Sequence, residues 1–183
     1  MPKVSEAHRE ERRRQILDGA RRAFARHGYE GATVPRLEEE TGLSRGAIFS
    51  YYPTKLELFL ALAETDQRAL GRLWLEQGFD ALVRDIASSP DWLGAYLDVP
   101  RMLRTDPALR ERWRAFNPDL QERLAGRLEE QRDAGAVRSD LELEAIGRFF
   151  GVLIDGLAVQ QAAGVPIDVE GTLELVRSAL APK

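Results

Sequence analysis

An all-α fold is what the sequence predicts, and three observations carry that expectation. No run alternates apolar and polar residues with period two, and no Asn-Gly or Asp-Gly turn joins two such runs. Apolar residues recur instead at three- and four-residue spacing. Helix start and stop signals punctuate the chain from end to end, enough for about nine helices.

The first helix is expected from about Glu10 to His27, with Ile16, Leu17, Ala20, Ala23 and Phe24 on one face and Gly28 as its left-handed cap. Thr33 reads as the next N-cap, with Pro35 in the first turn and Leu37 inward. That helix, Val34 to Thr41, stops at Gly42. Ser44 opens a third, Arg45 to Tyr51, which Pro53 closes. Thr54-Lys55-Leu56-Glu57 is a capping box that starts a long helix carrying Leu58, Phe59, Leu62 and Leu73 towards Gln77. Segments near Phe79–Ala87 and Trp92–Arg104 follow, and Asp106-Pro107 restarts the pattern. Asn117-Pro118 either kinks the next helix or divides it. Gly135 ends that element, and Ser139-Asp140-Leu141-Glu142 reads as a second capping box, opening a helix to about Ala163. Gly164 and Pro166 break the chain before Asp168 caps a last helix to about Ala181.

The chain has 183 residues, 44% of them apolar and 31% charged, which suits a soluble globular protein with a real core. No apolar run approaches the ~20 residues of a membrane span; Phe149 to Val159 is broken by Asp155 and two glycines. The start, with His8-Arg9-Glu10-Glu11-Arg12-Arg13-Arg14, has no apolar signal stretch. Zero cysteines exclude disulfides and thiolate chemistry, so the cytoplasm is the expected location. His8 and His27 do not make a zinc site, so no metal ligand is assigned. No catalytic residue is assigned either: no serine or histidine sits in a nucleophile-like context, and no Gly-rich phosphate loop occurs. Charge is divided unevenly. Residues 1–55 hold 11 Lys/Arg against 8 Asp/Glu, and the rest hold 15 against 22, as if a basic module preceded an acidic one.

The two short helices on either side of Gly42-Leu43-Ser44 have helix-turn-helix spacing. Ala47 and Ile48 would look inward, leaving Arg45, Gly46, Ser50 and Tyr51 to face a groove. Arg45 can reach phosphate or guanine, Gly46 permits close backbone approach, and Ser50 and Tyr51 can donate hydrogen bonds. Lys55 places a cation beside a phosphate. The alternative is an ordinary helical hairpin with a polar outer face. Glu38-Glu39-Glu40 reads as a solvated face.

Arg14-Gln15-Ile16-Leu17-Asp18-Gly19-Ala20, Phe24-Ala25-Arg26-His27-Gly28-Tyr29, Ala32-Thr33-Val34, Thr41-Gly42-Leu43-Ser44-Arg45-Gly46 and Tyr51-Tyr52-Pro53-Thr54-Lys55 together resemble the DNA-binding domain of TetR-family transcriptional regulators. The resemblance implies a three-helix DNA-binding domain, here residues 1–54. It also implies a helical ligand-binding and dimerisation domain, here residues 55–183, in a homodimer that binds a palindromic operator. It implies phosphate contacts at Thr33 and Lys55, and a groove face formed by Ser44, Arg45, Gly46, Ser50 and Tyr51. Phe49 departs from the pattern, standing where the family commonly has a phosphate-binding tyrosine. Tyr29-Glu30-Gly31-Ala32-Thr33-Val34, Arg36-Leu37-Glu38-Glu39, Ser44-Arg45-Gly46-Ala47-Ile48-Phe49 and Leu103-Arg104-Thr105-Asp106-Pro107 resemble, more narrowly, the family's aconitase-repressor branch. That branch implies control of a citric-acid-cycle gene and citrate, with or without Mg2+, as effector.

In the second half, Trp113, Phe116, Leu120, Leu124, Arg127 and Gln131 share a face, so Arg127 interrupts an apolar stripe. A guanidinium there either snorkels outward, pairs with an acid such as Asp155, or meets an anionic ligand. Trp92, Tyr96, Trp113, Arg127 and Arg177 are the ligand-binding candidates; aromatics at this spacing also serve as plain core. The helix from Asp140 to Ala163 is apolar nearly all round. With the last helix it would form the dimer interface through Gly147, Phe150, Gly151, Ile154, Leu173 and Val176, or else be buried within one subunit. The expected function is a repressor switched by a small molecule, either a tricarboxylate or a hydrophobic drug-like or lipid molecule. A helical enzyme or interaction module is the reading from another class.

Overall fold

The structure is a computed structural model describing residues 6–88, 93–115 and 118–182. Ten helices and no strand are present among those residues: α1 (Glu6–Gly31), α2 (Val34–Thr41), α3 (Arg45–Phe49), α4 (Lys55–Gln77), α5 (Phe79–Ser88), α6 (Leu93–Thr105), α7 (Pro107–Arg114), α8 (Pro118–Asp133), α9 (Leu143–Ala162) and α10 (Val169–Leu180).

Where the boundaries differ from expectation, the backbone gives the reason. α1 extends beyond Gly28, which sits inside it at φ 66 and breaks its direction. α3 ends two residues early: the Tyr51 and Tyr52 amides both donate to the Ile48 carbonyl, at 3.1 and 3.2 Å, closing a turn before Pro53. The pattern around Asn117-Pro118 is two helices, which brings the total to ten. The second capping box does not form. Arg138 takes the Asp140 carboxylate in a fork, Nε to Oδ1 at 2.6 Å and Nη2 to Oδ2 at 2.7 Å, while its own amide donates to the Leu180 carbonyl. That ties down the chain before the helix, so α9 begins at Leu143 with Glu142 as N-cap. The Thr54 box does form on its Thr side, with the Glu57 amide donating to Thr54 Oγ1 at 3.1 Å.

The chain packs as two compact units. The first holds residues 1–66 and 91–106, the second residues 67–90 and 107–183. These units follow packing, whereas the division at residues 54 and 55 follows the motif; α6 lies far beyond it in sequence and packs back on α1. The first unit closes over Ile16, Phe24, Leu37, Ile48, Leu58, Phe59 and Leu62, all fully or almost fully buried. Phe24 and Tyr29 both meet the Phe59 ring, with centroids 5.1 and 5.0 Å apart. α1 can lie close to α2 because residue 19 is glycine: a Cβ there would stand 2.6 Å from the Thr41 Cα. Arg21 bridges α1 to Asp66 on α4, and burial pushes the Asp66 carboxyl above its ordinary 3.8 despite that cation.

The second unit is built on Leu128, Val137, Ile146, Phe150, Val176 and Leu180, with Trp74, Phe79, Leu143 and Leu153 packed against them. Trp74 and Phe79 flank the Phe150 ring at 4.9 and 4.4 Å.

Candidate nucleic-acid interface and ligand cavity

Local chemistry explains how α3 is presented. Gly42, at φ 68, closes α2 by donating its amide to the Glu38 carbonyl. Thr41 Oγ1 then accepts the Leu43 amide at 3.2 Å, and Ser44 Oγ accepts the Ala47 amide at 3.4 Å. Glu38, expected to be a bystander on a solvated face, is part of this device: its Oε1 accepts the Arg45 amide at 2.6 Å. Glu40 is engaged as well, holding Arg22 at 3.0 Å and Arg26 at 2.5 Å. The acidic run therefore organises the turn and neutralises α1 cations. Period alone could not distinguish these carboxylates from idle ones.

The expected groove residues lie together. Ser44, Arg45, Gly46 and Ser50 are exposed, Tyr51 is half-buried, and Ile48 points into the core. A Cβ added at Gly46 would meet no atom within 4 Å, so no packing in this chain accounts for the glycine. Ser50 Oγ donates back to the Ala47 carbonyl at 2.8 Å. Thr33 occupies the N-cap position of α2, but its hydroxyl makes no capping bond and stays at the surface. Lys55 is less free than its spacing implies. Its Nζ donates to the Tyr29 carbonyl at 2.8 Å and lies 4.4 Å from the centre of the Tyr29 ring. Tyr29 is also held from α6, whose Asp98 Oδ2 accepts its amide at 2.6 Å.

The ligand candidates do not converge. Trp92 lies outside the described residues, and Tyr96 is described only as part of α6. Arg127 is not on a buried stripe: it is half-exposed and bonds Glu130 at 3.3 Å. The apparent stripe ran across two helices, and α8 keeps its own phase from Pro118 onward, so Leu128 takes the buried position. Arg177 is exposed and paired with Asp80, and Trp113 is half-buried on α7. A cavity of about 510 Å³ lies elsewhere in the second unit, between α4, α8 and α9. Trp74, Leu124, Leu128 and Leu143 give it apolar walls, and Glu144 and Arg148, an exposed pair 3.5 Å apart, are its charged lining residues. Trp74 was not among the expected ligand residues; its place near the end of an amphipathic helix gave no sign of a cavity.

The expected dimer residues do not share one environment. Phe150, Leu173 and Val176 are buried within the second unit, and Gly147 lines the cavity. Gly151 is exposed and Ile154 is half-buried. On α9 and α10 the large apolar side chains left at the surface are Phe149, Val152, Val159 and Leu175; Val152 and Leu175 are each 73% exposed. On a helix apolar nearly all round, the hydrophobic pattern cannot say which side meets its own core.

No group of three or more metal-ligating side chains occurs among the described residues, and no described helix is long and apolar enough to cross a membrane.

Residues 16–62 match the family described as bacterial regulatory proteins of the TetR family, and residues 71–182 match the C-terminal domain of BetI-type transcriptional repressors. The HTH-type transcriptional repressor AcnR of Corynebacterium diphtheriae is 40% identical over 184 residues, covering 98% of this chain and 97% of that protein. AcnR of Corynebacterium glutamicum is 41% identical over 167 residues, covering 90% and 88%. The solved structure of Salmonella enterica GusR shares the fold, with a TM-score of 0.73 at 18% identity over 97% of each chain. The exposed, capped α3 thus sits in a chain that belongs to the TetR family of DNA-binding transcriptional repressors, with a BetI-type C-terminal domain and no enzymatic role.

Proposed function

We propose that this repressor works in the cytoplasm as a homodimer, binding a palindromic operator with one α3 in each half-site and responding to a small molecule held in its C-terminal half. The observation that carries the DNA reading is the α3 surface. No carboxylate among the described residues pairs with the Arg45 guanidinium, and Gly46 leaves an unfilled approach beside it. Thr33, Ser44, Ser50, Tyr51 and Lys55 complete the contact set, with Thr33 and Lys55 on phosphates. The exposed residues Phe149, Val152, Val159 and Leu175 support a dimer formed through α9 and α10.

The near-full-length similarity to repressors named AcnR supports a citric-acid-cycle gene as target and makes citrate, with or without Mg2+, the first effector to test. One observation favours a second effector class. The cavity's apolar walls, with Glu144 beside Arg148, suit a mostly apolar molecule better than a trianion, whose burial needs several cations. Effector binding can change operator affinity only by its preference between DNA-bound and free conformations, typically ~1–3 kcal/mol. The expected sign is release.

Selection of duplexes from a random pool by the purified protein, followed by mobility shift, tests the DNA reading; failure to enrich any sequence refutes it. Calorimetry with citrate, alone and with Mg2+, tests the effector. No heat under either condition removes citrate and leaves the repressor standing. Quenching of Trp74 fluorescence by apolar probes, lost when Gly147→Leu fills the cavity, would support the second class.

A further inference from the structure

The first part of α1 lies outside the core. Its buried residues begin at Ile16, and from Glu6 to Gln15 none is buried. At 1.5 Å per residue, roughly 15 Å of helix therefore stands clear of the packed interior. Arg9, Arg12 and Gln15 are spaced by three and form one ridge along it. The ridge leads to the helix-turn-helix: Arg12 Nη1 donates to Gln15 Oε1 at 2.9 Å, and Gln15 Nε2 donates to the Thr41 carbonyl at 3.0 Å. Thr41 is the last residue of α2, and the turn that launches α3 hangs from its hydroxyl. On the neighbouring strip, Arg13 and Glu10 are close enough to Tyr52 to act on its phenol, which burial raises above 10.0, Arg13 lowers and Glu10 raises.

Charge pairing sorts the arginines of this unit. Arg21, Arg22, Arg26 and Arg101 each meet a carboxylate on another element, Asp66, Glu40, Glu40 and Glu30 respectively. Arg13 and Arg14 pair with Glu10 and Glu11 one turn back, exposed contacts worth little. The guanidiniums of Arg9 and Arg12 have no carboxylate partner among the described residues, a property they share with Arg45 on α3 and with Arg36, which donates to the Gly31 carbonyl instead. Two unneutralised guanidiniums on a protruding ridge, continuous with the DNA-reading turn, match a polyanion in charge and position.

We infer that Arg9 and Arg12 form a backbone-gripping arm that holds operator phosphates flanking the bases read by α3. The inference rests on the repressor reading and extends it to residues outside the helix-turn-helix. Phosphate contacts position the protein without reading sequence, so the arm adds affinity to every duplex alike and leaves base preference to α3.

The test uses the full-length protein and a duplex it selects from a random pool. Binding of wild type and of Arg9→Gln/Arg12→Gln is measured against salt by fluorescence anisotropy, on the selected duplex and on a scrambled one. Each lost phosphate contact should lower the slope of log K against log salt by about 0.9, so by about 3.6 for two contacts in each of two half-sites. Specificity, the ratio between the two duplexes, should stay the same, and hydroxyl-radical protection should shrink at the outer edges of the footprint. Arg9→Lys/Arg12→Lys should restore most of the slope. Arg114→Gln/Arg123→Gln, two exposed positions with the same change in net charge, should leave it unaltered. A wild-type slope in the Arg9→Gln/Arg12→Gln protein, or an equal loss in the Arg114→Gln/Arg123→Gln control, overturns the arm and leaves the repressor intact. If wild type selects no duplex, the repressor reading falls first.

Discussion

Two glycines in the DNA-binding half should respond to the same substitution in opposite ways. At Gly19 an added Cβ would lie 2.6 Å from the Cα and Cγ2 of Thr41 and 2.8 Å from the Glu40 carbonyl oxygen. Two of those three atoms are backbone, so α1 and α2 must move apart. Overpacking of this kind costs about 1–3 kcal/mol, and alanine returns about 0.5–1 kcal/mol of helix preference. At the middle of both ranges Gly19→Ala should therefore lose about 1 kcal/mol, lowering Tm by about 2–4 °C in a chain of this size. At Gly46 nothing lies within 4 Å, so only the helix preference remains and Tm should hold or rise slightly. Operator affinity should move the other way. A methyl group on the groove face that displaces one base contact costs about 1–3 kcal/mol per half-site. Over two half-sites that is roughly 30-fold to 10⁴-fold weaker binding. Gly19→Ala, assayed well below its Tm, should bind within about threefold of wild type, because its change is internal to the fold. Circular dichroism melts and anisotropy titrations on a selected duplex decide the matter. Wild-type affinity in Gly46→Ala would mean that α3 does not approach DNA through that face. An unchanged melt in Gly19→Ala would refute the close α1–α2 contact.

Other substitutions separate further roles. Arg45→Ala should cost about 1–3 kcal/mol per half-site and relax specificity at one base position, with no change in Tm. Lys55→Ala should weaken all duplexes alike, flatten the salt dependence, and also cost about 1 kcal/mol of stability, since Lys55 holds the Tyr29 carbonyl; an unaltered melt would contradict that bond. Val152→Asp with Leu175→Asp should give a folded monomer in sedimentation with weak operator binding, and a persistent dimer would move the interface elsewhere. Asp66 supplies a pH signature. Its folded pKa lies above 3.8, so the folded state binds its proton more tightly than the unfolded state does. Between those two values stability should fall as pH rises, and the difference from Asp66→Asn in urea melts should trace that fall; a difference that grows with pH would reverse the assignment.

What could be read from the sequence follows the range of the interactions involved. Ser44 accepting the Ala47 amide, Gly42 at positive φ and Thr54 capping Glu57 are decided within four residues, so α2 and the starts of α3 and α4 stand where spacing predicts them. For Thr33 the family resemblance implies a phosphate contact that no local rule suggests. The errors arise where a side chain's fate depends on something distant in sequence. Arg138 reaches the carbonyls of Ala179 and Leu180, some forty residues on, and so defeats a locally sound capping box at Ser139. On α8 the buried position falls at Leu128, so Arg127, one residue earlier, goes to the surface. On α9 both sides are apolar, so Phe150 and Phe149 look equivalent until Trp74 and Phe79 close around one of them. The same contrast separates the functional halves. The DNA-reading turn needs one geometry, and short-range chemistry enforces it. The cavity is a gap left between α4, α8 and α9, defined by what three distant segments fail to fill. A gap has no motif, which is why Trp74 and Arg148 emerge only once the helices are packed.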